Sequence, residues 1–178
     1  MNTNLNDYVK IYDRVLTKKQ CDILINLFDT CENKEIHNTE YYKFQQVNLN
    51  RNMNHFKNIL NILVDVFSFH FEMYRKELNI NHLPKEFNCF EQFRIKKYEI
   101  GDYFNEHIDA NNIHNAKRYL SGFIYLNDSG GTVFFGKEIE PNIGSLVIFP
   151  PLWLFPHHGV VGNKPKYFLS TYLHYSPE

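Results

Sequence analysis

The segment Tyr103-Phe104-Asn105-Glu106-His107-Ile108-Asp109 holds an imidazole and a carboxylate two positions apart. In an extended strand, residues i and i+2 face the same side, so His107 and Asp109 are expected to project together. A neutral imidazole beside a carboxylate makes two corners of a metal site. A second imidazole, brought near by the fold, would complete a 2-His-1-carboxylate set. Such a set leaves coordination positions open and suits non-haem Fe(II) that must also bind O2 and a cosubstrate. Alone, His-x-Asp is a common chance pairing, and a surface His beside a turn Asp is its ordinary explanation.

A later stretch offers the missing groups. Phe149-Pro150-Pro151-Leu152-Trp153-Leu154-Phe155-Pro156-His157-His158-Gly159 supplies two adjacent imidazoles. It is followed by Lys164-Pro165-Lys166-Tyr167-Phe168-Leu169-Ser170-Thr171-Tyr172. In a strand there, Lys166, Phe168 and Ser170 share one face. A lysine ammonium on that face can pair with the far carboxylate of a dicarboxylate ligand, although a lone lysine is more often a solvated strand end.

The elements that must position these groups follow from periodicity. Thr17-Lys18-Lys19-Gln20 has the capping-box form, and Cys21, Leu24, Ile25 and Phe28 recur behind it at helical spacing. A longer helix is expected from about Asn54 to Leu78, with Phe56, Leu60, Leu63, Val64, Phe67 and Phe71 as its apolar stripe. Tyr8–Tyr12 and part of Tyr41–Asn50 are short-strand candidates. From about Pro84 the pattern changes to short strands of period two: Phe87–Tyr98, Tyr103–Ile108, Arg118–Asn127, Thr132–Phe135, Ser145–Phe149, His158–Val161 and Tyr167–Tyr175. Helices followed by many short strands predict an α+β, mainly β chain with a sandwich or barrel.

Composition narrows the function classes. The 178 residues suit one domain. A formal charge of −1, from 19 Lys+Arg against 20 Asp+Glu, provides no basic excess for a phosphate backbone, so no nucleic-acid partner is expected. No apolar run approaches the ~20 residues of a membrane span, and the polar start does not read as a signal peptide. Three widely spaced cysteines exclude a disulfide framework and point to a reducing, cytoplasmic compartment. The 22 asparagines resemble the usage of a low-GC genome, such as that of a virus or phage.

Taken together, Tyr98-x-x-Gly101-x-Tyr103-Phe104-x-x-His107-x-Asp109, Arg118 to Asn127, Gly130-Gly131-Thr132-Val133-Phe134, Pro141-x-x-Gly144 to Pro150 and the His157 to Tyr172 segment resemble the Fe(II)/2-oxoglutarate-dependent oxygenases, in particular their prolyl 4-hydroxylase-like branch. Each motif is loose, but they occur in the family's order. The resemblance implies a double-stranded β-helix, or jelly roll, with the N-terminal helices packed on one sheet. It implies one oxygenase domain over residues 1–178, with 1–83 as mainly helical support and 84–178 as jelly-roll core.

The resemblance also implies roles. His107 and Asp109 match the first two iron ligands. His157 or His158 matches the third, and the family's His-x-Gly favours His157. Lys166 matches the basic residue that grips the cosubstrate's distal carboxylate, with Lys164 as the fallback. Tyr125 matches a tyrosine that helps hold that carboxylate, and Tyr98 one that lies near the cosubstrate. Lys stands where many members have Arg, so no bidentate fork is available.

The implied reaction is C–H hydroxylation coupled to decarboxylation of 2-oxoglutarate, with Fe(II) and O2, and with ascorbate as a stimulant. Related halogenases lack the carboxylate ligand, so Asp109 argues for hydroxylation. The foremost substrate expectation is a prolyl residue in a peptide or protein. A free amino acid or other small molecule comes second. A non-catalytic jelly-roll binding module and a structural zinc protein using the same three groups are the readings from other classes. The segments Glu32–Asn48 and Ala110–Lys117 are expected to be loops that set specificity.

Overall fold

The computed structural model describes residues 4–84 and 89–175. A 3-10 turn at Leu5–Tyr8 leads into β1 (Lys10–Tyr12). Helix α1 (Lys18–Thr30) then starts at the expected capping box. The Thr17 N–H donates to Gln20 Oε1 at 2.8 Å and the Gln20 N–H donates to Thr17 Oγ1 at 3.3 Å, satisfying two otherwise orphan donors. A hairpin of β2 (Glu35–Asn38) and β3 (Lys43–Asn48) precedes α2 (Met53–Glu77). The second half supplies β4 (Arg94–Tyr98), β5 (Arg118–Tyr125), β6 (Thr132–Phe134), β7 (Lys137–Ile139), β8 (Leu146–Phe149), β9 (His157–Gly159) and β10 (Lys166–His174).

Seven strands form one antiparallel sheet in the order β1-β8-β5-β10-β4-β3-β2, and β7-β6-β9 form a second. This is the expected mainly β, double-stranded β-helix architecture. The helical first half departs from pure support, because β1, β2 and β3 extend the large sheet at both edges. The segment expected as a loop over Glu32–Asn48 is largely the β2–β3 hairpin.

Alternation on the central strands separates two cores. On β10, Tyr167, Leu169 and Leu173 face the helices, while Lys166, Phe168, Ser170 and Tyr172 face the inter-sheet space. Every residue of β5 after Arg118 is buried, as a strand covered on both faces must be. The helix-side core joins Cys21, Leu24 and Phe28 of α1 to Phe56, Leu63, Phe67, Phe71 and Tyr74 of α2. Phe123, Tyr125, Phe134, Val147, Phe149 and Phe155 fill the space between the sheets.

Helix α2 seats on β5 at Gly122, where a Cβ would lie 2.9 Å from the Phe67 ring. Phe67 is fully buried against Phe71 and Phe93. Phe67→Ala is therefore expected to cost about 3–5 kcal/mol of unfolding free energy in urea titration. A loss below about 1 kcal/mol would mean that α2 does not anchor this core.

Candidate metal and ligand-binding site

Tyr103–Ile108 does not form the expected strand. This segment makes single bridges, Tyr42↔Phe104 on one side and His107↔His157 on the other. Neither neighbour runs alongside long enough for a ladder to propagate. The chain is instead pinned point by point: the Lys43 N–H donates to the Tyr103 carbonyl at 2.7 Å and the Asn105 N–H donates to the Tyr41 carbonyl at 2.9 Å. His107 and His157 exchange both backbone hydrogen bonds, each at 3.0 Å. The Ala110 N–H then donates to the Pro151 carbonyl at 2.9 Å. Convergence of the two imidazoles thus comes from a backbone pair between distant segments.

His107, Asp109 and His157 each offer one ligand atom, and these atoms lie within 4.8 Å of one another. His107 Nδ1 sits 2.8 Å from the Asn105 carbonyl oxygen and His157 Nδ1 3.1 Å from that of Phe155. Those carbonyls can only accept, which assigns the ring proton to Nδ1 and leaves each Nε2 lone pair free. The two Nε2 atoms stand 3.8 and 3.9 Å from opposite oxygens of Asp109, too far for hydrogen bonds. Three donor atoms therefore face a common point without bonding each other. Imidazoles fixed by carbonyls through the other nitrogen are the usual support of a metal-binding histidine. The residues fit a divalent ion.

The surroundings hold His107 and Asp109 in their metal-ready charge states. Burial, then His157, push the His107 imidazole down to about 4, so it is neutral near pH 7. Burial opposes ionisation of Asp109, but His157, His107, the Tyr172 hydroxyl and Lys96 outweigh it and hold the carboxyl below its usual range. Ser121 Oγ and the Tyr172 hydroxyl donate to its two oxygens at 3.2 and 2.8 Å. Phe104 stacks on His107 at 3.6 Å and Phe134 on His157 at 5.0 Å. His158 is only half-buried, and strand alternation turns it away from His157.

The three groups open onto a cavity that Thr132, Phe149, Phe168 and Ser170 also line. Lys166 lines this cavity and is buried. Its ammonium donates to the Gly131 carbonyl at 2.7 Å, and among the described residues it makes no ion pair with a carboxylate. Burial lowers its pKa to about 8 against the opposing pull of Glu138. Lys164, by contrast, pairs with Asp128 at 2.5 Å, and both side chains are substantially exposed.

Tyr98 lines the cavity and stacks on Phe168 at 5.8 Å. Tyr125 differs from its expected placement: it is fully buried behind the wall, and its hydroxyl donates to Thr132 Oγ1 at 2.8 Å. Thr132 is the residue that lines the cavity there.

Sequence reasoning missed Ser121, Thr132, Tyr172 and Lys96. Tyr172 and Lys96 were readable by extending period-two faces, from Ser170 and from Tyr98. A second cleft adjoins the metal side of the cavity and is bordered by Tyr42, Phe44, Asn111 and Asn115 from the two segments expected to set specificity. Among the described residues, no helix is long and apolar enough to cross a membrane.

Comparison with known proteins agrees with this architecture. Residues 93–174, which contain all the candidate groups above, match the 2OG-Fe(II) oxygenase superfamily. A Pseudomonas putida prolyl-4-hydroxylase superposes with a TM-score of 0.72 at 16% identity, covering 96% of this chain and 94% of that one. The viral collagen prolyl hydroxylase of Paramecium bursaria Chlorella virus-1, solved with 2OG, gives 0.67 at 18% identity, over 95% and 97%. A Trichoplax adhaerens prolyl hydroxylase, solved with a hypoxia inducible factor peptide, gives 0.70 at 15%, over 96% and 85%. At these identities the likeness is one of fold. No curated protein sequence matches the chain.

Proposed function

We propose that this chain, whose residues 93–174 match the 2OG-Fe(II) oxygenase superfamily, is an Fe(II)- and 2-oxoglutarate-dependent dioxygenase that hydroxylates a prolyl residue in a peptide or protein. The observation that carries the reading is the convergence of two Nε2 atoms and one carboxylate, beside a cavity that contains a buried lysine with no ion pair among the described residues.

In this reading His107, Asp109 and His157 hold the iron, with Ser121 and Tyr172 fixing the carboxylate's orientation. The bound iron supplies O2 activation coupled to decarboxylation of 2-oxoglutarate, giving succinate, CO2 and a hydroxylated substrate. Lys166 receives the distal carboxylate of 2-oxoglutarate, a charge-assisted bond that its burial strengthens. The Thr132 hydroxyl accepts from Tyr125, so its own proton is free to donate to the same carboxylate. Tyr125 thus acts through Thr132. The rings of Phe104, Phe134, Phe149 and Phe168 surround the reacting centre and keep water from it. Prolyl specificity is supported by the fold shared with three solved prolyl hydroxylases.

The test is a panel of proline-containing peptides incubated with Fe(II), 2-oxoglutarate and air. The expected result is succinate formation with a peptide mass gain of one oxygen, located on proline by fragmentation. Oxygen incorporated only at other residues, or only into free amino acids, would contradict the prolyl assignment and leave the dioxygenase reading intact.

A further inference from the structure

Lys96 and Lys164 are the cavity cations that the proposed chemistry leaves without a task, and of the two only Lys164 has an ion pair, with Asp128, among the described residues. Alternation on β4 puts Arg94, Lys96 and Tyr98 on the cavity side, opposite Ser170, Phe168 and Lys166 of β10. Lys96 lines both the cavity and the adjoining cleft, whereas Lys166 lines the cavity alone. Its ammonium stands among three rings, 5.0 Å from the centre of Phe44 and 5.6 Å from those of Phe104 and Phe168. Phe104 is the ring stacked on His107, so the charge lies one ring away from the metal group.

The rings hold this cation without neutralising it. Among the described residues, Lys96 makes no hydrogen bond and no ion pair. The other cations of the cleft, Arg94 and Arg118, share one carboxylate, that of Glu91. Arg118 donates to both oxygens of Glu91 at 2.7 and 2.8 Å, and Arg94 lies 3.5 Å from the same carboxylate. Asp109 does attract Lys96 electrostatically. Its oxygens, however, are engaged by Ser121 and Tyr172, and its charge is directed at the ion-binding point. Burial lowers Lys96 to about 8, helped by Arg94 and Arg118, which leaves it an ammonium at pH 7. A half-buried ammonium that forms no ion pair is costly to leave unmatched. A ligand carboxylate arriving through the cleft would offset that cost.

We propose that Lys96 is a specificity-determining residue that receives a carboxylate of the substrate, so that the true substrates are anionic next to the carbon that is hydroxylated. The inference rests on the dioxygenase reading and deepens it. The carboxylate could belong to a free amino acid or to an acidic side chain beside the target residue in a peptide, and the two sources are separated by the test.

Calorimetric titration of the anaerobic Fe(II)–2-oxoglutarate complex measures binding with no turnover. Two matched pairs serve as probes: L-proline against L-prolinamide, and acetyl-Pro-Glu-amide against acetyl-Pro-Gln-amide. In at least one pair the carboxylate member is expected to bind at least tenfold tighter, and that pair identifies the source. Lys96→Met should remove the preference, and Lys96→Arg should retain most of it. The proposal is overturned if neither pair shows a preference, including the case in which no probe binds, or if the preference survives Lys96→Met. It is also overturned if Lys96→Met raises the 2-oxoglutarate requirement as much as Lys166→Met does, which would assign Lys96 to the cosubstrate. Absence of the visible keto-acid band in the starting complex is a separate result, and it removes the dioxygenase reading itself.

Discussion

His157→Ala is expected to lower 2-oxoglutarate turnover by more than the about 10- to 100-fold that loss of an outer-shell partner costs, because it removes one of three ligand atoms. His158→Ala should retain bound iron and turnover close to the parent's. The contrast rests on position. His157 shares a two-way backbone bridge with His107, donates Nδ1–H to Phe155 and aims Nε2 at the common point. His158 is the next residue on β9 and points to the other face. Iron content after gel filtration and succinate release read the two variants. Retained iron in His157→Ala with loss in His158→Ala would shift the ligand frame by one residue.

The second large effect belongs to Lys166. Lys166→Met should raise the 2-oxoglutarate concentration for half-maximal turnover by at least about 30-fold, since truncating one member of a buried charge pair costs ~2–5 kcal/mol. Lys164→Ala should leave it nearly unchanged, because that lysine is spent on Asp128 at the surface. Lys166 also sets a pH dependence. Its protonated form is the one that binds a carboxylate, and burial brings its pKa to about 8. The binding form is therefore full below that pH and lost as pH rises through it. kcat/KM for 2-oxoglutarate should fall above pH 8, and in Lys166→Arg this fall should move to higher pH. A flat profile to pH 9.5 in the parent would exclude Lys166 as the carboxylate's partner.

Much of this architecture was readable from local physics. The Thr17–Gln20 capping box and the stripe of α2 lie where their spacing puts them, because each is decided within one helix. Strands β5, β6, β8 and β10 have apolar or alternating runs bounded by Gly and Pro turns. Strand β2 (Glu35–Asn38) and strand β7 (Lys137–Ile139) were not legible. Each is a short, mostly polar edge strand, whose pairing is decided by the neighbour and not by its own sequence. Residues 87–88 of the expected Phe87–Tyr98 strand lie outside the described residues, and only Arg94–Tyr98 of that range is strand.

The candidate groups separate in the same way. His107, Asp109, His157 and Lys166 are carried by motif and spacing. Their convergence depends on a long-range bridge between residues 107 and 157, which no window along the chain contains. The same-face argument for His107 and Asp109 assumed a strand that is absent, and the pair meets by pinning of an irregular segment. Tyr125 sits one layer deeper than its motif implied, and Thr132, which accepts its hydroxyl hydrogen bond, lines the cavity in its place. Lys96 reads from sequence as an ordinary strand lysine, and only the packing of Phe44, Phe104 and Phe168 around it reveals its isolation.

The most direct test of the central claim is anaerobic addition of Fe(II) and then 2-oxoglutarate to the purified protein, followed by visible absorption. The account predicts the weak charge-transfer band of a chelated keto acid in the parent and its absence in folded Asp109→Ala. A folded parent that binds iron and shows no band, or an Asp109→Ala variant that shows the full band, would contradict it.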